Sequence, residues 1–334
     1  MRTLEPAPPS VLDASTGAPR IGAYRGPLPR VDLSSLARGK LWRLFHEKRW
    51  MYVAISADPL LVGVAIADLG YLCNGFAFVF DRAEARMIAD RTALAPPFAG
   101  DVNDTSGPGH LARFELGATR LRFERAAAAD PYRLEVRMGD LEISAELFAG
   151  EAPPPISVVA PIPGGVLNTT EKRALLHARG SVRVGDTRHA FERGLGGYDY
   201  THGLLARRTS WRWAFAQGHA KDGEPIAFNL VEGFVGEPEC ALWANGELHP
   251  LAEGRFTFDP ENWRAPWKLR TADGALDLDF VPGGAHAEKK NFGVVASRFL
   301  QPMGVFRGTI AVPGRETIEI DDVLGVTEDQ EILW

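Results

Sequence analysis

Between Tyr132 and Leu147 the apolar side chains fall on every second position. Tyr132, Leu134, Val136 and Met138 alternate with Arg133, Glu135 and Arg137, and after Gly139-Asp140 the pattern resumes with Leu141, Ile143, Ala145 and Leu147. A period of two sends successive side chains to opposite faces of an extended chain, whereas a helix needs 3.6. Two such runs joined by Gly-Asp predict a β-hairpin with a type II′-like turn, because the turn requires a positive φ that glycine adopts at no steric cost.

The same punctuation recurs at Gly185-Asp186, Asp222-Gly223, Asn245-Gly246, Asp273-Gly274 and Pro313-Gly314. Roughly nine or ten candidate strands precede Gly196 and about as many follow it. One open sheet of about twenty strands would curl or split, and closure removes the exposed edges. The expected fold class is therefore all-β, with two successive antiparallel barrels. We expect an extended Pro/Gly-rich arm over residues 1–40, a first barrel over 41–195 and a second over 196–334. Ser34 to Trp50 is the one stretch before the strands that reads as containing a helix. The proline-rich segment 151–165 reads as a crossover loop inside the first half, followed by strands over Lys172–Val184 and Thr187–Arg193.

The chain of 334 residues is 45% hydrophobic, enough for one large or two medium cores. Its net charge of -6 lacks the basic footprint of a nucleic-acid partner. The longest apolar run, around Leu60 to Ala67, is far too short to span a bilayer, and Met1 to Pro9 lacks the apolar centre of a signal peptide. A soluble, cytoplasmic chain without an integral membrane segment is expected; the sequence gives no oligomeric state. The two cysteines, Cys73 and Cys240, sit in apolar segments and read as buried free thiols.

Chemistry concentrates between Gly197 and Trp213, which hold Asp199, His202, Arg207, Arg208, Arg212 and the indoles of Trp211 and Trp213. If Thr209–Gly218 is a strand, Trp211, Trp213 and Phe215 share a face. The returning strand offers Ile226, Phe228, Leu230 and Glu232 on one face, with Asn229 on the other. An acid ending an apolar face opposite an aromatic ladder predicts a ligand pocket with a few placed polar groups. The plainer reading of such a stripe is a filled barrel core, and Asp199 or His202 could serve only to cap a turn. Lys290-Asn291 could place a cation at a barrel mouth or lie solvated on the surface. Trp263 and Trp267 bracket a proline and suggest a rigid corner. No histidine or cysteine spacing suggests a metal, and no glycine-rich phosphate loop or nucleophile elbow is present, so no cofactor is expected.

Several segments together resemble the bacterial domain-of-unknown-function family 2804: Trp50–Ser56, Val62–Tyr71, Thr170-Glu-Lys172, Asp199–Trp213, Phe228-Asn229, Trp263–Trp267 and Lys290-Asn291. More distantly, Gly185-Asp186, Asp199, Trp211-Arg-Trp213 and Asp222-Gly223 follow the order seen in carotenoid 1,2-hydratases and their lipocalin-like relatives, with Tyr198 where those have Trp. The resemblance implies paired lipocalin-like (calycin) barrels.

Three functions follow as expectations. The first is a cofactor-independent hydratase, isomerase or cyclase acting on an apolar small molecule. Asp199 would be its acid, kept protonated by burial, Trp211 and Trp213 would stabilise a cation, and Glu232 or His202 would position water. The second is a carrier or sensor of a hydrophobic ligand, with Tyr200, Arg207, Trp211, Trp213, Asn229, Trp267, Lys290 and Asn291 as binding residues. The third is a structural protein with filled barrels. A cavity of roughly 300 Å³ or more would argue against the third, and an Asp199 facing the same cavity as Trp211 and Trp213 would favour the first.

Overall fold

The computed structural model describes residues 3–36, 38–312 and 314–334. Pro313 of the expected Pro313-Gly314 turn, and Met1, Arg2 and Ala37 of the arm, lie outside the described residues. At Gly185 the chain turns with φ +58°, the left-handed region that penalises a Cβ, and joins two strands of 18 residues each, Leu167–Val184 and Thr187–Leu204. The Gly139-Asp140 turn has the same form, with Gly139 at φ +63°, and pairs Tyr132–Met138 with Leu141–Phe148. Asn245 and Gly246 are both at positive φ, as a type I′ turn demands.

These hairpins build two sheets among the described residues. Along the first, the order is Arg86–Ala95, Cys73–Asp81, Leu60–Asp68, Glu47–Ala57, Thr187–Leu204, Leu167–Val184, Leu141–Phe148, Tyr132–Met138, Thr119–Arg125, His110–Leu116 and Gly100–Val102, closing almost into a barrel. The second is a half-barrel of nine strands, with Pro225–Gly233, Arg208–His219, Ile318–Leu333 and Ala296–Ile310 at its centre. The all-β, two-barrel architecture expected from the alternation is thus present.

The chain passes from the first sheet to the second between Leu204 and Arg208, whereas the expected division at 195/196 falls inside a continuous strand. The proline-rich segment after Glu151 is not wholly loop. It contains the strand Ile156–Pro161, which pairs with Leu167–Lys172 on one edge and with Gly22–Arg25 of the arm on the other. Beyond that pairing, Leu28 donates its backbone N–H to the buried Glu171 carboxylate at 2.5 Å. The helix expected in the 34–50 stretch forms over Lys40–His46.

The strand Glu47–Ala57 explains how the sheets meet. Met51, Val53 and Ile55 enter the barrel core, while Trp50, Tyr52 and Ala54 point outward, where Tyr52 and Ala54 join the core of the second sheet. A strand buried on both faces reads as a nearly continuous apolar run, as this one does. Cys73 and Cys240 are buried free thiols, each raised by burial to about 12.

Candidate functional site

The site lies between the sheets rather than inside a barrel. Along Thr187–Leu204, Tyr198, Tyr200 and His202 point into the first barrel, and Asp199 and Thr201 point out of it. Facing them across the junction are Trp211 and Trp213, whose direct partners on the neighbouring strand are Gln330 and Glu328. The space enclosed is a cavity of about 160 Å³, walled by the rings of Trp50, Tyr52, Phe76, Trp211, Trp213 and Phe299. That is smaller than the roughly 300 Å³ of a full small-molecule site, and fits a ring-sized portion of a ligand.

Two acidic centres sit in this wall. Lys172, directly opposite Asp199 in the strand register, places Nζ 2.7 Å from Asp199 Oδ2 and 3.2 Å from Glu239 Oε2. Thr170 donates its hydroxyl to Asp199 Oδ1 at 3.1 Å. Burial opposes the Lys172 charge, but the two carboxylates outweigh it and hold its pKa above the ordinary value. Glu239 is pushed up by burial against the pull of Lys172.

The second centre is Glu328, which is 6% exposed and accepts hydrogen bonds from Trp211 Nε1 at 2.6 Å and Gln301 Nε2 at 2.8 Å. Burial pushes its pKa up to about 7 despite these bonds, and the nearby Asp199 charge adds to the rise. The buried Tyr52 hydroxyl is likewise raised by burial and then by Glu328 and Asp199, which places all three in one electrostatic neighbourhood. Trp213 Nε1 donates to Asn229 Oδ1 at 2.7 Å, and Asn229 in turn donates to the Glu239 carbonyl, which fixes the indole. Among the described residues, no group of three or more His, Cys, Asp or Glu side chains is placed to hold a metal ion.

Of the residues singled out in the sequence, Asp199, Trp211 and Trp213 line this one cavity, and Asn229 supports it. The others are elsewhere. Glu232 lies on the face opposite the tryptophan ladder, because Trp213 registers with Val231; it pairs with Arg212 at 2.8 Å. Strand alternation separates His202 from Asp199: its ring is inside the first barrel, 3.1 Å from Glu47 Oε1 and 3.2 Å from Arg49 Nε. Tyr200 is also inside, donating to the Asn103 carbonyl at 3.0 Å.

Arg207 donates to the Val294 carbonyl at 2.7 Å and stacks over Phe45. Trp267 is fully buried, stacked on Phe258 and bonded to the Trp263 carbonyl, so the expected corner is core. Lys290 pairs with Glu288, and of that pair Glu288 lines the cavity. Asn291 is exposed and accepts the Gly293 N–H at 3.0 Å.

The profile of the family described as "Domain of unknown function (DUF2804)" matches residues 6–334. The chain belongs to this family. No curated protein matches it. Among solved structures, this DUF2804 chain is similar to CghA in complex with Sch210972 at 11% identity and a TM-score of 0.53, over 98% of this chain and 97% of that one. It is similar to a putative AttH from Nitrosomonas europaea at 11% identity and a TM-score of 0.52, with 99% of both chains covered. Kievitone hydratase from Nectria haematococca follows at 13% and 0.51, over 99% of this chain and 98% of that one. At such identities the likeness establishes a common fold.

Beyond the candidate residues read from the sequence, the cavity of this DUF2804 chain is lined by Glu328, Gln330, Lys172, Glu239, Tyr52 and Trp50. A signal for Glu328 existed. Thr327-Glu-Asp-Gln-Glu331 is a polar run directly after the apolar Val323, Leu324 and Val326, within one strand. Such a run resembles a solvated strand end, and only pairing with Arg208–His219 turns Glu328 inward. Trp50, Tyr52 and Lys172 fall in family-like segments, but the contacts of Lys172 depend on its register with Asp199.

Proposed function

We propose that this protein is an acid–base enzyme that adds water to, isomerises or cyclises an unsaturated apolar small molecule. The observation that carries the reading is a buried carboxyl, Glu328, raised to about 7 and bonded to an indole in the same cavity as the Asp199–Lys172 pair. A catalytic acid works best when its pKa lies near the operating pH, and two carboxyls in different surroundings divide the acid and base roles. The acid is therefore Glu328 rather than Asp199.

In the proposed hydration, Glu328 gives its proton to one carbon of a C=C bond, whose π electrons form the new C–H bond. Positive charge develops on the adjacent carbon, against the faces of Trp211, Trp213 and Trp50. A water oxygen adds there and loses a proton to Asp199. That proton returns to Glu328 through water, so the net change is addition of H₂O. If the cation instead loses a neighbouring proton to Asp199, the product is an isomer; if a second double bond attacks it, a C–C bond forms, the charge moves to the far carbon of that bond, and loss of a neighbouring proton to Asp199 gives the neutral ring. The fold shared with kievitone hydratase supports this class by likeness alone and supplies no substrate.

The test is to incubate the protein with a small-molecule extract of its host in H₂¹⁸O and, separately, in D₂O, and to follow masses. Hydration adds labelled water, and isomerisation or cyclisation places one deuterium on carbon. Glu328→Gln should remove the conversion while ligand affinity stays within about tenfold. A ligand bound but recovered unchanged, with no labelled product, would leave a carrier in place of an enzyme.

A further inference from the structure

The cavity wall carries an imbalance of hydrogen-bonding groups. Four of its buried side-chain polar atoms have no partner among the described residues: Glu239 Oε1, Gln330 Oε1, Asn74 Oδ1 and the Tyr52 hydroxyl. Three of the four accept only, and the hydroxyl can also accept. The Gln330 amide is oriented by its Nε2, which donates to Ser297 Oγ at 3.2 Å and leaves Oε1 unpaired. Glu239 is 3% exposed, with one oxygen on Lys172 and the other unpaired.

The charges lean the same way. Among the described residues lining the cavity, Lys172 is the one lysine or arginine, against the carboxyls of Asp199, Glu239 and Glu288, while both oxygens of the proposed proton donor Glu328 are taken up by Trp211 and Gln301. Lys172 is itself paired with Asp199 and Glu239. Arg207 and Lys290, expected from the sequence as binding residues, are taken up by the Val294 carbonyl and by Glu288.

We propose that the ligand enters this aromatic cavity with a hydrogen-bond-donating polar end, a hydroxyl or an ammonium group, and that the site rejects carboxylates. The inference rests on the reading of the cavity as a ligand site. A donor satisfies Glu239 and Gln330, whose unpaired burial costs free energy, and an ammonium group adds cation–π contact with Trp50, Trp211 or Trp213. A carboxylate would be desolvated beside like charge with no free donor cation to meet it.

The test uses four probes of one shape on the full chain at pH 7.5, with affinities from ligand-observed NMR: 2-methylnaphthalene, 2-naphthylmethanol, 2-naphthylmethylammonium and 2-naphthoate. The alcohol or the ammonium should bind at least about tenfold more tightly than the naphthoate, and which of the two leads identifies a neutral or a cationic donor. Glu239→Gln should lower ammonium affinity by roughly tenfold and leave 2-methylnaphthalene unchanged. If that variant fails to fold by circular dichroism, Gln330→Met tests alcohol binding in its place. Naphthoate binding as tightly as the donors, or indifference to both variants, overturns the proposal while leaving a ligand site. Failure of all four probes, and of the single-ring benzyl alcohol and benzylammonium that match the ring-sized cavity, removes the ligand site as well.

Discussion

Trp211 donates its indole N–H to Glu328 Oε1 at 2.6 Å, joining adjacent strands of the second sheet and tying the aromatic wall to its acid. The bond runs diagonally, since the residue directly opposite Trp211 is Gln330. An indole can only donate, so the carboxyl keeps its other oxygen for Gln301 and its proton for a substrate.

Glu328→Gln should lower turnover by about 10²–10⁴-fold, the ordinary contribution of a positioned proton donor. Asp199→Asn should lose activity to a similar extent, whereas Glu232→Gln, on the far face with Arg212, should stay within about threefold of wild type. Steady-state kinetics on the substrate identified by isotope labelling checks all three.

Glu328 also leaves a signature in stability. Its folded pKa of about 7 exceeds the ordinary 4.5, so between these values the folded state binds the extra proton. Stability then falls as pH rises through that window, by up to the order of 3 kcal/mol. The difference between the melting temperatures of wild type and Glu328→Gln should carry this slope from pH 4.5 to 7.5; parallel curves would contradict it.

His202 predicts the opposite slope. Burial lowers its pKa despite the Glu47 contact, so the unfolded chain takes up a proton first as pH falls below 6.5. The stability it contributes is present above that value and is lost on acidification. His202→Gln should flatten this acid limb in a denaturation series while leaving turnover nearly unchanged, since the ring faces the first barrel.

Removing Lys172 should be severe. Lys172→Met leaves Asp199 and Glu239 without their cation in a buried setting, a loss of about 3–5 kcal/mol. Adding Asp199→Asn and Glu239→Gln should recover much of it, which urea denaturation of the triple variant measures.

Gly63→Ala tests the packing of the first sheet's outer face, where Tyr52 and Phe78 join the core of the second. An added Cβ would overlap the Phe78 ring and come within 2.9 Å of the Tyr52 oxygen. Overpacking of this kind costs about 1–3 kcal/mol, and it should displace Tyr52 from the cavity. A melting temperature equal to wild type would count against the packing described.

The legible part of the fold was local. Alternation of Tyr132–Met138 against Leu141–Leu147, and a glycine able to hold φ +63° between them, are properties of adjacent residues. The tryptophan face of Arg208–His219 is readable for the same reason, and with it two of the cavity's rings, Trp211 and Trp213. What failed was pairing. Alternation leaves open which face of Pro225–Gly233 meets the tryptophans, and the register with Val231 turns Glu232 away; His202 and Asp199, three residues apart in one strand, lie on opposite faces.

The sequence alone therefore determined the strands, their turns and the faces each strand could present, because those depend on chain geometry repeated every two residues. Which faces met was decided only by tertiary structure. The Lys172–Asp199 pair, the turning of Glu328 inward and the closing of a cavity between two sheets rather than within one all depend on register between distant segments. A shift of one residue in that register would send each of these side chains to the opposite face, and no local preference in the chain fixes it.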